Sequence, residues 1–375
     1  MRKISSLLFC VLIHQISFAQ ENVITTAVPF LLIAADARSA GMGDNGVATT
    51  ADAFSQQYNP AKYAFSLDKQ GFTTSYTPYL TQLVNDIYLG QVTYFNKYNE
   101  RSAVGASLRY FSLGEIQLTN FEGTPTYIAK PSEMALDISY ALKLSDRFAM
   151  AVAGRYISSN LRFQEDNQGS GGATSYAVDV AAFYQSEEMA FADFNGRLRF
   201  GMNMQNLGPK INYDLAKTDE NSNFLPSNLK IGSSFDFILD DFNKVSANVE
   251  FAKLLVPTPN PNQTSADYNK IGWSEGLFKS FNDAPGGNTE EFKEITYAVG
   301  SEYTYQDSFA FRLGYFHESP AKGARKFYTL GAGFKYNVVK IDMSYLFSAS
   351  KVNNPLENTL RFSLTFNFGD KYDDL

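Results

Sequence analysis

Cysteine and histidine are almost missing from this chain. There is one cysteine, Cys10, and two histidines, His14 and His317. Cys10 and His14 both fall in a stretch with the form of a secretory signal peptide, residues 1–19. It has Arg2-Lys3, an apolar run from Ile4 to Ile13, and Ser17-Phe18-Ala19 ahead of Gln20. Cleavage after Ala19 is expected, leaving no cysteine and His317 alone. Disulfides, thiol catalysis and cysteine metal sites are then excluded. Serine-hydrolase triads and histidine-bound zinc have almost nothing to be built from. Neither an enzyme nor a metal or cofactor site is expected.

Long hydrophobic runs are missing too. None reaches the ~18 residues a membrane-crossing helix needs, and Ile4–Ile13 is too short. A basic excess is also lacking: the formal charge of −7 becomes −9 once Arg2 and Lys3 are removed, which speaks against nucleic acid as a partner. What the chain has in excess is aromatic residues, 15% of the total, with 32 Phe and 23 Tyr against one Trp. Outer-membrane barrels use such residues on their lipid-facing walls and interfacial girdles.

The barrel reading rests on periodicity. Leu360, Phe362, Leu364, Phe366 and Phe368 alternate with Arg361, Ser363, Thr365 and Asn367. Apolar residues at every second position make one apolar face on an extended strand. Fourteen such segments run from Gly71–Pro78 to Leu360–Phe368. Charged residues on the opposite face, among them Arg109, Asp137, Arg155, Asp179, Arg199, Arg312 and Asp342, are expected to line a lumen. Connections alternate short and long, as in barrels with periplasmic turns and outer loops. The expected fold is therefore all-β: a 14-stranded antiparallel transmembrane barrel over residues 70–368, in the outer membrane and facing lipid, with a periplasmic tail at 369–375. The first and last strands should pair, because a membrane tolerates no free sheet edge.

Residues 20–66 do not alternate. They are small and glycine-rich, and fourteen strands leave room in the lumen for a plug. This segment is expected to be a periplasmic or lumenal hatch, with Gly41, Gly43 and Gly46 giving tight turns and Asn59-Pro60 leading into the first strand. Gly41–Gly46 matches G-x-G-x-x-G, but the alternating β and α units of a dinucleotide fold do not follow.

Asp36-Ala37-Arg38-Ser39-Ala40-Gly41-Met42-Gly43 and Tyr58-Asn59-Pro60-Ala61 resemble the N-terminal region of FadL-like barrels, and in particular of the PorV family of type IX secretion. Gln205-Asn206-Leu207-Gly208-Pro209-Lys210 and Leu225-Pro226-Ser227-Asn228-Leu229-Lys230-Ile231-Gly232 are similar to that family as well. The resemblance implies a barrel that binds the C-terminal signal domains of secreted cargo and a large outer-membrane translocon barrel, and that escorts cargo to surface attachment machinery. A FadL-type channel for hydrophobic small molecules is the alternative.

Two loops are candidates for partner contact. Leu255–Lys293 carries Trp273, Leu277, Phe278 and Phe281, spaced for one face of a short helix. That face is either a docking element or a lid packed on the barrel mouth. Leu113–Ser132 carries Ile116, Leu118, Phe121 and Tyr127, which either serve a partner or cap the rim. Glu290, Glu291 and Glu294 read as a solvated charge run, and Glu187, Glu188, Asp193 and Asn195 as a solvated turn without calcium-loop spacing.

Overall fold

Alternation of the side chains decides the architecture. The computed structural model describes residues 23–81, 83–161, 172–213, 222–350 and 355–371. The expected signal peptide, residues 168–171 of a glycine-rich loop and residues 372–375 of the tail lie outside them. Seven strands make the first half: β1 Asp68–Pro78, β2 Ile87–Lys97, β3 Ser102–Leu113, β4 Ser132–Ser145, β5 Phe148–Asn160, β6 Ala173–Gln185 and β7 Asn195–Leu207. The second half is β8 Asn228–Ile238, β9 Asn243–Leu254, β10 Thr296–Tyr305, β11 Phe309–His317, β12 Lys326–Tyr336, β13 Val339–Ser348 and β14 Leu360–Lys371.

Each strand pairs antiparallel with its sequence neighbours, and β14 closes onto β1 with Phe72 opposite Phe366 and Tyr76 opposite Phe362. The sheet is a closed 14-stranded barrel, as the closing pair of apolar segments predicts. Two boundaries differ from expectation. β1 begins at Asp68, and β14 continues three residues past Phe368, so the expected tail starts as strand. There Gly369, at φ 90°, lets the strand bend against the Lys69 side chain.

The wall sorts its residues by face. Phe309, Phe311 and Leu313 on β11 and Ile341, Met343 and Phe347 on β13 are exposed on the outside. Between them Arg312, Asp342 and Ser344 are buried inside. In a soluble sheet the large apolar face would be the buried one; the inversion identifies the outer solvent as lipid. Among the described residues no helix is long and apolar enough to cross a membrane.

Short turns at 98–101, 146–147, 239–242, 306–308 and 337–338 gather at one end. At the other end, connections of eight residues or more include 114–131, 208–227 and 255–295. By the barrel rule the short-turn end is periplasmic and the long-loop end is outside.

Candidate functional site

The segment before β1 lies inside the barrel. From Ala34 to Ser66 every residue is buried except Asp44, Thr50, Ala51, Asp52 and Phe65, which are half-buried. It holds only short helical turns, including α1 Ala37–Ala40, capped where Asp36 accepts from the Ser39 N–H, and α2 Ser55–Tyr58. Backbone polar groups that these turns leave unpaired need partners from the wall, and strands around the circumference supply several. Ala37 N–H donates to Ser363 Oγ at 2.8 Å, Gly43 N–H to Thr329 Oγ1 at 2.9 Å, and Gly46 and Val47 N–H both reach Glu250. Arg109 donates to the Leu31 carbonyl, Asn203 to Tyr58, and Lys97 to Ser66.

Charge fixes the plug's middle. Arg38 Nη2 lies 2.8 Å from Glu302 and its Nη1 lies 2.7 Å from Asp52. Arg312 shares Glu302 and reaches Asp342 at 2.8 Å. On the far wall, Arg155 bridges Asp137 at 2.5 Å and Asp179 at 2.9 Å. These buried charges are paired, as burial of ions demands.

Backbone of the plug meets backbone of the wall where the wall residue is glycine. A Cβ on Gly314 of β11 would overlap the Gly43 nitrogen, and one on Gly201 of β7 would overlap the Val47 carbonyl. Gly43 itself takes φ 72° with Tyr315 backbone atoms 2.8 Å from its Cβ position. Only glycine satisfies both the positive φ and the close approach.

The segment starts at the long-loop end. Val28, Phe30 and Leu31 pack with Leu89, Phe111 and Leu225 near the long loops, and Ala27 N–H donates to Phe224 O in the 208–227 loop. Tyr63 and Ala64 pack with Phe95 and Phe183 near the short turns. The plug thus spans the lumen from the outer end to the inner end before entering β1.

Over the outer mouth lies the 255–295 loop, with α3 Ser265–Lys270, α4 Trp273–Lys279 and α5 Asn288–Lys293. Its latch is the glutamate run. Glu291 and Glu294 hold Lys253 at 3.0 and 2.6 Å, and Glu290 and Glu294 hold Lys322 at 2.6 and 3.0 Å. The expected solvated run is therefore a mostly buried clasp, because its lysines come from β9 and the 318–325 loop, far away in sequence. Nearby, Asp283 is half-buried. Burial, opposed by the Thr258 N–H and Lys253 and helped by Glu291 and Glu294, leaves its carboxyl pushed up to about 6.

Residues 16–261 match the family model for the type IX secretion system protein PorV. The chain belongs to the PorV family. A comparison with curated proteins returns no match. Among solved structures it is similar to a TodX deltaS2S3 mutant monoaromatic hydrocarbon channel, with 12% identity, 89% of this chain and 99% of that chain covered, and a TM-score of 0.51. A FadL homologue from Pseudomonas aeruginosa shows 13% identity, 92% and 99% coverage, and a TM-score of 0.45. At this identity the TodX likeness speaks to the fold alone.

In this PorV-family barrel the two groups of loop residues stay apart from the plug. Gly276 of α4 packs against Phe224 and Pro257, so α4 turns its small residue inward. Trp273 and Phe278 are exposed, Leu277 is half-buried, and Phe281 lies just past the helix rather than on its face. Phe292 joins these exposed aromatics; its place on α5 carried no sequence signal. In the 114–131 loop, Ile116–Thr119 pairs with Pro125–Ala129 in a hairpin. Phe121 at its tip is fully exposed, Ile116 and Tyr127 are exposed, and Leu118 is half-buried. In the plug, Gly41 abuts Gly331, Gly46 abuts the Tyr58 ring, and Asn59 bonds Val47 and Ala182 and caps the Pro60–Phe65 turn. Among the described residues no His, Cys, Asp or Glu group could hold a metal ion.

Proposed function

We propose that this chain is a non-enzymatic outer-membrane component of type IX protein secretion. Its outer surface binds the C-terminal signal domains of cargo and the large translocon barrel, and hands cargo to surface attachment machinery. The family match carries this reading. Two structural features support it. The plug engages the wall through the full depth of the lumen, which leaves protein cargo no room inside. The outer face, by contrast, exposes Trp273, Phe278, Phe281 and Phe121, and exposed aromatics are the residue type that anchors protein interfaces. The plug acts as a hatch that keeps the lumen closed during this work.

A second reading, a channel for hydrophobic small molecules, is favoured by one observation. A cavity of about 110 Å³ sits between the plug and β8–β11, with Ile24, Leu32, Leu254 and Phe316 on its apolar side. Affinity purification of the detergent-solubilised protein followed by mass spectrometry separates the two. Recovery of a large barrel, and of exported proteins sharing a C-terminal domain, supports secretion. Recovery of the protein alone with fatty acids eluting from it supports the channel.

A further inference from the structure

The turn between β6 and β7 is out of scale with its end of the barrel. The other turns there span only 98–101, 146–147, 239–242, 306–308 and 337–338, whereas this one spans 186–194. It closes as an extension of the hairpin. Met189 lies opposite Gly196 and Ala190 opposite Asn195, and the Phe191 N–H donates to the Phe194 carbonyl at 2.9 Å. A connection longer than closure needs calls for a use.

Alternation says which way its side chains point. Arg197 and Arg199 are buried on the lumen side of β7, so Gly196 and Leu198 face out. Met189, paired with Gly196, shares that outward face, and so does Phe191 two residues on. Glu188 and Ala190 take the other face, with Glu188 3.5 Å from Arg197. The rings agree. Phe191 meets Phe235 edge-on at 6.2 Å and stacks on Phe194 at 4.8 Å, and Phe194 meets Phe237 at 5.4 Å. Phe235 and Phe237 flank Asp236, which is buried against Arg199 inside the lumen, so both rings lie on the outer wall. Gly196 makes the seat: a Cβ there would come within 2.7 Å of the Phe191 ring and 2.5 Å of the Phe235 ring.

The turn is thus folded onto the lipid-facing wall, and it leaves Phe191 47% and Met189 37% exposed. Its acids do not share that apolar surface. Glu187 is tied to Arg147 at 2.5 Å, Glu188 turns toward Arg197, and Asp193 is exposed at the tip. An apolar face continuous with a lipid-contacting wall, backed by a polar face, suits the layer between hydrocarbon and water.

We propose that the 186–194 turn is an interfacial anchor, with Met189 and Phe191 resting in the headgroup layer of the periplasmic phospholipid leaflet. It holds the β6–β8 side of the barrel at a fixed depth. The anchor lies beyond the end of β6, at the opposite end from the outer loops, and does not depend on their role.

Single-tryptophan probes in the full, reconstituted barrel test it. Trp273→Phe removes the chain's one tryptophan. In that background Phe191→Trp, Met189→Trp, Ala190→Trp and the lipid-facing reference Leu313→Trp are placed in phosphatidylcholine vesicles, with heat-modifiable migration showing that each barrel is folded. Bromine on the acyl chains near the headgroup should quench Phe191→Trp and Met189→Trp roughly twofold, and bromine near the chain ends should quench them less. Leu313→Trp should also be quenched, and Ala190→Trp, on the opposite face, should not. Either outward probe alone decides. Quenching of the outward probes no greater than that of Ala190→Trp would place this face in water or against a protein partner, and would overturn the proposal.

Discussion

Gly314→Ala attacks the plug at the point where it has least freedom. The new methyl would overlap the Gly43 nitrogen and the Met42 carbonyl carbon, which are backbone atoms and not flexible side-chain ends. Gly43 cannot retreat, because its own φ of 72° and the Tyr315 backbone hold it from the other side. Overpacking of this kind costs about 1–3 kcal/mol. Displacement also endangers the 2.9 Å bond from Gly43 N–H to Thr329, worth about 1 kcal/mol. Together the seated plug should lose about 2–4 kcal/mol, while the ladder of β10–β12 is untouched. Hydrogen exchange of the 34–66 amides reads this directly, and at ~1.4 kcal/mol per decade protection should fall by roughly 30- to 1,000-fold. Gly154→Ala is the control: nothing lies within 4 Å of its Cβ position, so it should stay within about 0.5 kcal/mol of wild type. Unchanged exchange in Gly314→Ala would refute the backbone-on-backbone seat.

Arg38→Met should take away the salt-bridge partner of Asp52, leave Glu302 to Arg312 alone, and cost the plug about 3 kcal/mol, seen in the same exchange experiment. Trp273→Ala should reduce co-purification of partners without changing heat-modifiable migration; unchanged co-purification would make the outer helix a lid only. The 255–295 loop should respond to pH through Asp283. Its folded pKa of about 6 lies above the unfolded value, so the stability it gives is full below the unfolded pKa and is lost as pH rises through 6. Glu291 is shifted the other way, by Ala284 N–H and Lys253 against its burial, and acts only below this window. Limited proteolysis of the loop should thus quicken from about pH 5 to about pH 7, and Asp283→Asn should flatten the profile.

Much of this was legible in the sequence, for a physical reason. A wall with lipid on one side and a polar lumen on the other imposes a period of two, and Phe309–Leu313 or Leu360–Phe368 display it without help from distant residues. Closure of β14 on β1 then follows from the cost of an open edge in a membrane. The clasp was illegible because Glu290, Glu291 and Glu294 acquire their meaning only from Lys253 and Lys322, which no local pattern links to them. Glycine carries no face of its own, so Gly314 looked like any strand glycine until Gly43 was seen against it. The plug's direction was hidden for the same reason: its apolar start, Val28–Leu31, fits either end until Phe111 and Leu225 are placed. Helical spacing found α4 but not its end, since Phe281 continues the pattern after the hydrogen bonds stop.

Locking the plug to the wall tests the central claim most directly. Ala37→Cys with Ser363→Cys joins positions whose backbone N and side-chain oxygen are 2.8 Å apart. Secretion through contacts on the outer surface does not need the lumen to open. Cells carrying the oxidised, locked variant should therefore deliver cargo to their surface at the wild-type level. Loss of surface cargo on locking, restored by a reductant, would contradict the account.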